Sequence, residues 1–167
     1  MKPSIYNVEL IGSGILAVMA KPVAGEWIED EFLGIANAGI LQIVSLLEID
    51  EAVSVGLQEE ESLCIKNGIK YISFAIRDRC LPESVNEFGK FTKRLYQEIA
   101  GGINTVIHCR AGIGRTGIVA AGVLLHCGFD PNEAFEHISS KRGIQVPDTE
   151  EQREWVISNH NDIMNPT

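Results

Sequence analysis

His108-Cys109-Arg110-Ala111-Gly112-Ile113-Gly114-Arg115-Thr116-Gly117 joins two apolar runs. Before it, Thr105-Val106-Ile107 is β-branched and reads as a buried strand. After it, Ile118 to Leu125 is almost wholly apolar and reads as a buried helix. The stretch is therefore a glycine-bearing turn from a strand end into a helix N-terminus. Backbone N–H groups at such a point have no partner inside the helix, and the helix dipole adds partial positive charge. A turn of this kind holds an anion. Cys109 stands where the N–H groups converge, which favours its thiolate. Arg115 adds a planar fork of donors that matches two oxygens of one phosphate.

Upstream of the turn, Tyr6 to Leu10 and Ile15 to Met19 flank Gly12-Ser13-Gly14, the pattern of a β-hairpin. Lys21-Pro22 breaks the chain, and Trp27, Ile28, Phe32, Ile35 and Ala36 then recur at helical spacing up to Gly39. Ile40 to Leu47 reads as a buried strand. Val53 to Asn67 reads as one acidic amphipathic helix, with Leu57, Leu63 and Cys64 inward and Glu59, Glu60 and Glu61 outward. Ile69 to Ile76 is the next strand, and it runs into Arg77-Asp78-Arg79-Cys80-Leu81-Pro82. Ser84-x-x-Glu87 is a capping box. The helix it opens has Val85, Phe88, Leu95 and Ile99 on one face and closes at Gly101-Gly102. Strand 104–108 leads into the quoted turn. Downstream, Gly128 stops the buried helix. Asp130-Pro131-x-Glu133 caps the next one, which closes on Lys141-Arg142-Gly143. Thr149-x-x-Gln152 opens the last.

Strands and helices alternate from residue 27 onward. That predicts an α/β fold with a central, mostly parallel sheet flanked by helices on both faces. The chain reads as one domain over residues 1–167, with an N-terminal β-hairpin region at 1–22 and an α/β core at 27–160. Ligands of such sheets sit beyond the carboxyl ends of the strands. Asp78 and Cys109 both follow predicted strand ends, so both face one crevice.

The chain has 167 residues, 45% hydrophobic and 22% charged, the composition of a soluble globular protein with a proper core. Its net charge of −9 gives it no electrostatic reason to bind nucleic acid or an anionic membrane surface. A phosphate must then be drawn by local charge, for which Arg77, Arg79, Arg110 and Arg115 are the candidates. Cys64, Cys80, Cys109 and Cys127 show no Cys-x-x-Cys spacing, which argues against structural zinc and against a disulfide framework. Cys64 belongs to a helix face and Cys127 to a helix end, the usual places of structural cysteines. Thiolate chemistry suits a reducing compartment, so a cytoplasmic location is expected. The apolar run Leu10 to Ala20 is abutted by Glu9 and interrupted by Gly12, Ser13 and Gly14, unlike a signal peptide. No apolar run has the length of a transmembrane helix.

A thiolate that attacks phosphorus expels an oxyanion unless that oxygen is protonated, so a general acid is required. Asp78 is the candidate. The alternative is a solvated loop aspartate paired with Arg77 or Arg79. Gly112-x-Gly114-x-x-Gly117 also spells the dinucleotide fingerprint. That motif opens its own domain, whereas here little chain follows it and an arginine occupies the turn. No Gly-Lys-Ser/Thr follows either, so this is not a nucleoside triphosphate loop.

Cys-x-x-x-x-x-Arg-Thr on a strand-turn-helix, with a histidine before the cysteine, resembles the signature loop of the cysteine-dependent protein tyrosine phosphatases. Ile76-x-Asp78-x-x-x-Pro82 and Gln145-Val146-Pro147-Asp148-Thr149-x-x-Gln152 are similar to the small dual-specificity branch, and the likeness covers residues 27 to 160. The resemblance implies a protein tyrosine phosphatase-like fold. It also implies hydrolysis of phosphate monoesters, on phosphotyrosine and phosphoserine or phosphothreonine of proteins, through a phosphocysteine intermediate. Cys109 would be the nucleophile and Asp78 the acid, then the base. Arg115 would hold the phosphoryl oxygens together with Arg110, Ala111, Gly112, Ile113 and Gly114. Thr116 would stabilise the thiolate as leaving group, and His108 would tune the cysteine and order the loop without carrying protons. Gln152 has two readings, a water-positioning group as in related enzymes or the last member of a capping box.

The chain lacks a Trp-Pro-Asp acid loop and is shorter than the tyrosine-only enzymes, which implies a shallower cleft. Arg110 inside the loop keeps a phosphoinositide or other small phosphomonoester as the alternative substrate. A phosphate-binding module without catalysis is a further alternative. No metal or cofactor is implied. The expected partner is a phosphorylated protein or small phosphomonoester, with no nucleic acid and no membrane. Cys80 is a resolving thiol for Cys109 only if the two come within disulfide range.

Overall fold

A computed structural model describes residues 2–167. Strands β1 (Tyr6–Ile11), β2 (Gly14–Met19), β3 (Gln42–Ser45), β4 (Lys70–Ser73) and β5 (Thr105–His108) form a five-stranded sheet in the order β1-β2-β5-β3-β4. β1 and β2 are an antiparallel hairpin, and the pairings β2–β5, β5–β3 and β3–β4 are parallel. Helices α1 (Ile28–Asn37), α2 (Ile49–Ser54), α3 (Glu60–Lys66), α4 (Val85–Ala100), α5 (Gly114–His126), α6 (Pro131–Arg142), α7 (Glu150–Ser158) and α8 (His160–Met164) surround it. The mostly parallel α/β sheet expected from the alternation is the one observed.

Side chains alternate across the strands, and the alternation sorts them into two cores. Ala17, Met19, Ile43 and Val106 pack with Phe32 and Ile35 of α1 and Leu63 and Cys64 of α3. Leu16, Val18, Val44 and Ile107 pack on the opposite face with Phe88 and Leu95 of α4, Ile118 and Val119 of α5, Phe135 of α6 and Val156 of α7. β3 and β5 are buried along their whole length, with apolar centres and the buried polar residues Gln42, Ser45, Thr105 and His108 at their ends. Met19 and Ser45 both stand beside His108 in the register. The carboxyl ends of β2, β5 and β3 are therefore level, and the loops that leave them share one edge.

Two predictions are corrected: the helix opened at Thr149 is not the last, since α8 follows it, and the acidic segment is divided. Val53 to Asn67 is not a single helix but parts of two, α2 and α3. The break falls at Gly56, whose φ of 79° lies in the left-handed region that ends a helix. The turn re-aims both pieces. Leu57 is buried as expected, but Glu60, expected outward, is buried on α3. Helix ends elsewhere follow their predicted caps. Ser84 accepts from the Glu87 N–H without the reciprocal bond of a full box, whereas Thr149 and Gln152 make both bonds. Asp130 caps α6, with Pro131 in its first turn and Gly143 left-handed at its end.

Candidate active site

The loop from β5 into α5 wraps the end of β2. Gly112 has φ of 73°, and a Cβ there would run into the carbonyl oxygen of Met19. A glycine is required on both counts. Two tethers hold the loop from outside: the Lys21 N–H donates to the Arg110 carbonyl at 3.1 Å, and Arg142 Nη2 donates to the Ala111 carbonyl at 3.1 Å. No side chain caps α5. Among the described residues, none of the N–H groups of Arg110 to Ile113 bonds to another backbone carbonyl. Backbone donors left unpaired in this way are suited to an anion.

Cys109 is 3% exposed and stands at the floor of a cavity of about 280 Å³. Asp78, Arg79, Arg110, Arg115, Asp148 and Gln152 line the same cavity. Thr116 Oγ1 donates to Cys109 Sγ at 3.0 Å. The contrast with the other cysteines is one of surroundings. Burial pushes the Cys64 thiol up to about 12 and the Cys127 thiol up to about 11, the behaviour of inert core cysteines.

Arg115 is buried, and both of its terminal nitrogens are engaged. Nη1 donates to Glu51 Oε1 at 2.8 Å and to the Ile76 carbonyl at 2.9 Å. Nη2 donates to Glu51 Oε2 at 2.8 Å and to Asp78 Oδ1 at 3.0 Å. Burial works against its charge, but the Glu51 hydrogen bonds and the nearby Cys109 and Asp78 outweigh that, so its pKa lies above the ordinary value. The same hydrogen bonds, with Arg110 adding to them, hold the Glu51 carboxyl below the usual carboxylate range. Asp78 itself is half exposed. Its ion pair is with Arg115 rather than with Arg77 or Arg79. Arg79 bears a left-handed φ of 62° in the turn after it.

The sequence model for the Swiss Army Knife protein, DSP-PTPase phosphatase domain (PTP-SAK) matches residues 6–157 of this chain. The chain belongs to the dual-specificity and tyrosine phosphatases. It is a cysteine-dependent phosphatase of that type. A protein of Invertebrate iridescent virus 6 described as a tyrosine phosphatase, 197R, is 43% identical over 63 residues, 36% of this chain. That match spans 24% of the viral protein's own length. Solved structures agree in fold. Kinase associated phosphatase (KAP), with its catalytic site cysteine replaced by serine, has a TM-score of 0.87 at 20% identity, over 98% of this chain and 97% of that one. Tk-PTP in the active form has a TM-score of 0.77 at 24% identity, covering 100% of each chain. PTPMT1 in complex with PI(5)P has a TM-score of 0.71 at 18% identity, over 95% of this chain and 96% of that one.

In this phosphatase the expected residues Asp78, Cys109, Arg115 and Thr116 converge, with loop residues Arg110, Ala111, Ile113 and Gly114 around the cavity. Arg77 and Cys80 do not join them. They line a neighbouring cavity of about 610 Å³ with Phe74, Leu81 and Pro82. Gln152 completes the α7 cap, and it also lines the cavity. Three residues were not found from sequence: Glu51 behind Arg115, Asp148 at the cavity wall, and Glu60 beside His108. Only Asp148 carried a signal, its place in the Val146-Pro147-Asp148-Thr149 stretch. Among the described residues no group of three or more His, Cys, Asp or Glu side chains is arranged to hold a metal ion. No helix there is long and apolar enough to cross a membrane.

Proposed function

We propose that the chain hydrolyses phosphate monoesters of phosphotyrosine and phosphoserine or phosphothreonine in proteins, through a phosphocysteine intermediate. The observation that carries this reading is the convergence of Cys109, Arg115 and Asp78 on one small open cavity. The Cys109 thiolate attacks phosphorus, an S–P bond forms, and the P–O bond to the leaving group breaks. Asp78 delivers its proton to the departing oxygen. Water then attacks, Asp78 takes its proton, and the S–P bond breaks with the Thr116 hydroxyl donating to the departing thiolate. Throughout, the loop N–H groups and Arg115 hold the phosphoryl oxygens, where positioning and fixed charge do most of the work in phosphoryl transfer.

The resting ion pair fits this sequence. A dianionic phosphoryl group takes the place of Asp78 on Arg115 Nη2, and the freed carboxyl then accepts a proton. Asp78→Asn is therefore expected to lower kcat on an aryl phosphate by roughly 10²–10⁴-fold. Inorganic phosphate should at the same time bind more tightly to the variant, because a competing carboxylate is gone. Unchanged kcat sinks the acid assignment. A wild type that binds phosphate or vanadate without turnover, with chelator present, leaves a binding module instead. Cys109→Ser should abolish hydrolysis in every case.

A second substrate class has its own support. Arg79 and Arg110 stand at the cavity in addition to Arg115, and two more cations suit a substrate bearing a second anionic group, as in a phosphoinositide. Turnover of phosphopeptides against phosphoinositides under one set of conditions separates the two. We place the activity in the cytoplasm, where a free thiol nucleophile stays reduced.

A further inference from the structure

Alternation along β5 sends Val106 and His108 to the α1/α3 face of the sheet, and Ile107 to the other. His108 therefore points away from the cavity. Its side chain is 0% exposed, and that of Glu60, which meets it from α3, is 2% exposed. His108 Nδ1 lies 3.1 Å from the carbonyl oxygen of Cys109, and Nε2 lies 2.6 Å from Glu60 Oε2. A carbonyl oxygen only accepts, so Nδ1 carries a proton. A second proton must lie between Nε2 and Oε2. The pair thus holds two protons in a closed space next to the nucleophile.

The charge state follows from the neighbours. Glu60 Oε1 has no hydrogen-bond partner. Cys64 on the same helix and Tyr71 on β4 are the other ionisable groups that feel Glu60 inside the core. Burial pushes the Cys64 thiol up to about 12 and raises the Tyr71 phenol, so both are neutral at neutral pH. Glu61 is exposed and acidic. His108 is then the group that can balance a buried carboxylate here, and a buried carboxylate without a counter-charge is costly.

We propose that Glu60 is a positioning residue for the nucleophile: it holds His108 doubly protonated, so that the ring clamps the Cys109 peptide through Nδ1 and sets a positive charge behind that peptide. Arg115 lines the cavity, and His108 backs the Cys109 peptide from the α1/α3 face. The kinetic part of this inference rests on the phosphatase reading above. Its spectroscopic and chemical parts do not.

The first test needs no variant. Ring-nitrogen NMR of His108 in the wild type at neutral pH should show both nitrogens protonated, and one bare nitrogen overturns the proposal. The second uses Glu60→Gln, whose amide can still donate to Nε2 while Nδ1 keeps its proton. Geometry is retained and the charge is lost. The variant should show the ring spectrum of a neutral tautomer. Its kcat should fall by about tenfold with KM little changed, the scale on which loss of an outer orienting partner is felt. Alkylation of Cys109 by iodoacetate at mildly acidic pH should slow by a similar factor, while Glu61→Gln, on the surface, leaves it unchanged. Wild-type alkylation in Glu60→Gln overturns the proposal. If neither protein hydrolyses an aryl phosphate yet alkylation still separates them, the positioning role stands and the phosphatase reading falls. If Glu60→Gln does not fold, the wild-type spectrum decides alone.

Discussion

Arg115 donates both hydrogens of Nη1 to Glu51 and the Ile76 carbonyl, and both of Nη2 to Glu51 and Asp78. A phosphate can displace Asp78, which is half exposed, more easily than Glu51, which is nearly buried. Glu51 thus sets the plane of the fork, and on the proposed reading Asp78 holds the place that a phosphate takes. Glu51→Gln should cost about 1.5–3 kcal/mol of stability, the worth of a hydrogen bond to a charged group, visible as a lower Tm. It should also reduce kcat/KM, because the fork loses its orientation. The pair has a pH signature as well. The Glu51 carboxyl is held below its ordinary value of 4.5 in the folded chain. Between the folded and unfolded values the unfolded state binds more protons, so stability rises with pH across that window. The contribution is complete above 4.5 and is lost as pH falls through the lower, folded value. Tm measured from neutral to acid pH should therefore drop less steeply in Glu51→Gln than in the wild type. Equal slopes would remove Glu51 from the account.

At the scale of elements, the strand-turn-helix unit is the most legible part of the chain. Its glycines, cysteine and arginine lie close together, and each has a local reason. Gly112→Ala combines a left-handed residue, about 1–2 kcal/mol for an L side chain, with a collision against the Met19 backbone. It should lower Tm and remove activity together. Gly114→Ala is different: its Cβ would lie 2.9 Å from Gln152 Nε2 and 3.2 Å from Asp148 Cβ, so it would press on the buried side chain that completes the α7 cap. That variant should lower Tm by the worth of a helix cap, about 0.5–2 kcal/mol, and less than Gly112→Ala does. The acidic segment at 53–67 departs, for a physical reason, from the single helix its pattern predicts. Its apolar residues have helical spacing on both sides of Gly56, and local pattern does not reveal that only α3 packs into a core layer. α2 carries Glu51 to Arg115, and α3 turns Glu60 inward to His108. Both contacts join residues distant in sequence, and each is a charge satisfied across the fold. A surface glutamate and a buried partner look alike in sequence until the histidine or arginine opposite is placed.

On the scale of the whole molecule, the sheet is one wall shared by two cores. α1 and α3 cover one face, α4 to α8 the other, and β5 lies between β2 and β3 with residues in both. The site depends on both layers at once: Glu60 comes from the first, Thr116 and Gln152 from the second, and Cys109 stands at the seam. Loosening either layer should therefore unfold the other. The chain carries a reporter for each, since Trp27 precedes α1 and Trp155 packs edge-on against Phe88 at 5.0 Å. Single-tryptophan variants, Trp27→Phe and Trp155→Phe, should give coincident urea midpoints. Phe32→Ala on α1 or Phe88→Ala on α4 removes a wholly buried ring, at about 3–5 kcal/mol each. That is a large share of the roughly 5–15 kcal/mol of a typical domain. Each truncation should shift both reporters by the same amount and move the loss of activity with them. A Phe32→Ala protein in which the Trp27 signal melts first, while Trp155 and hydrolysis persist, would show that the α1/α3 layer is a separate unit and that the catalytic edge stands without it.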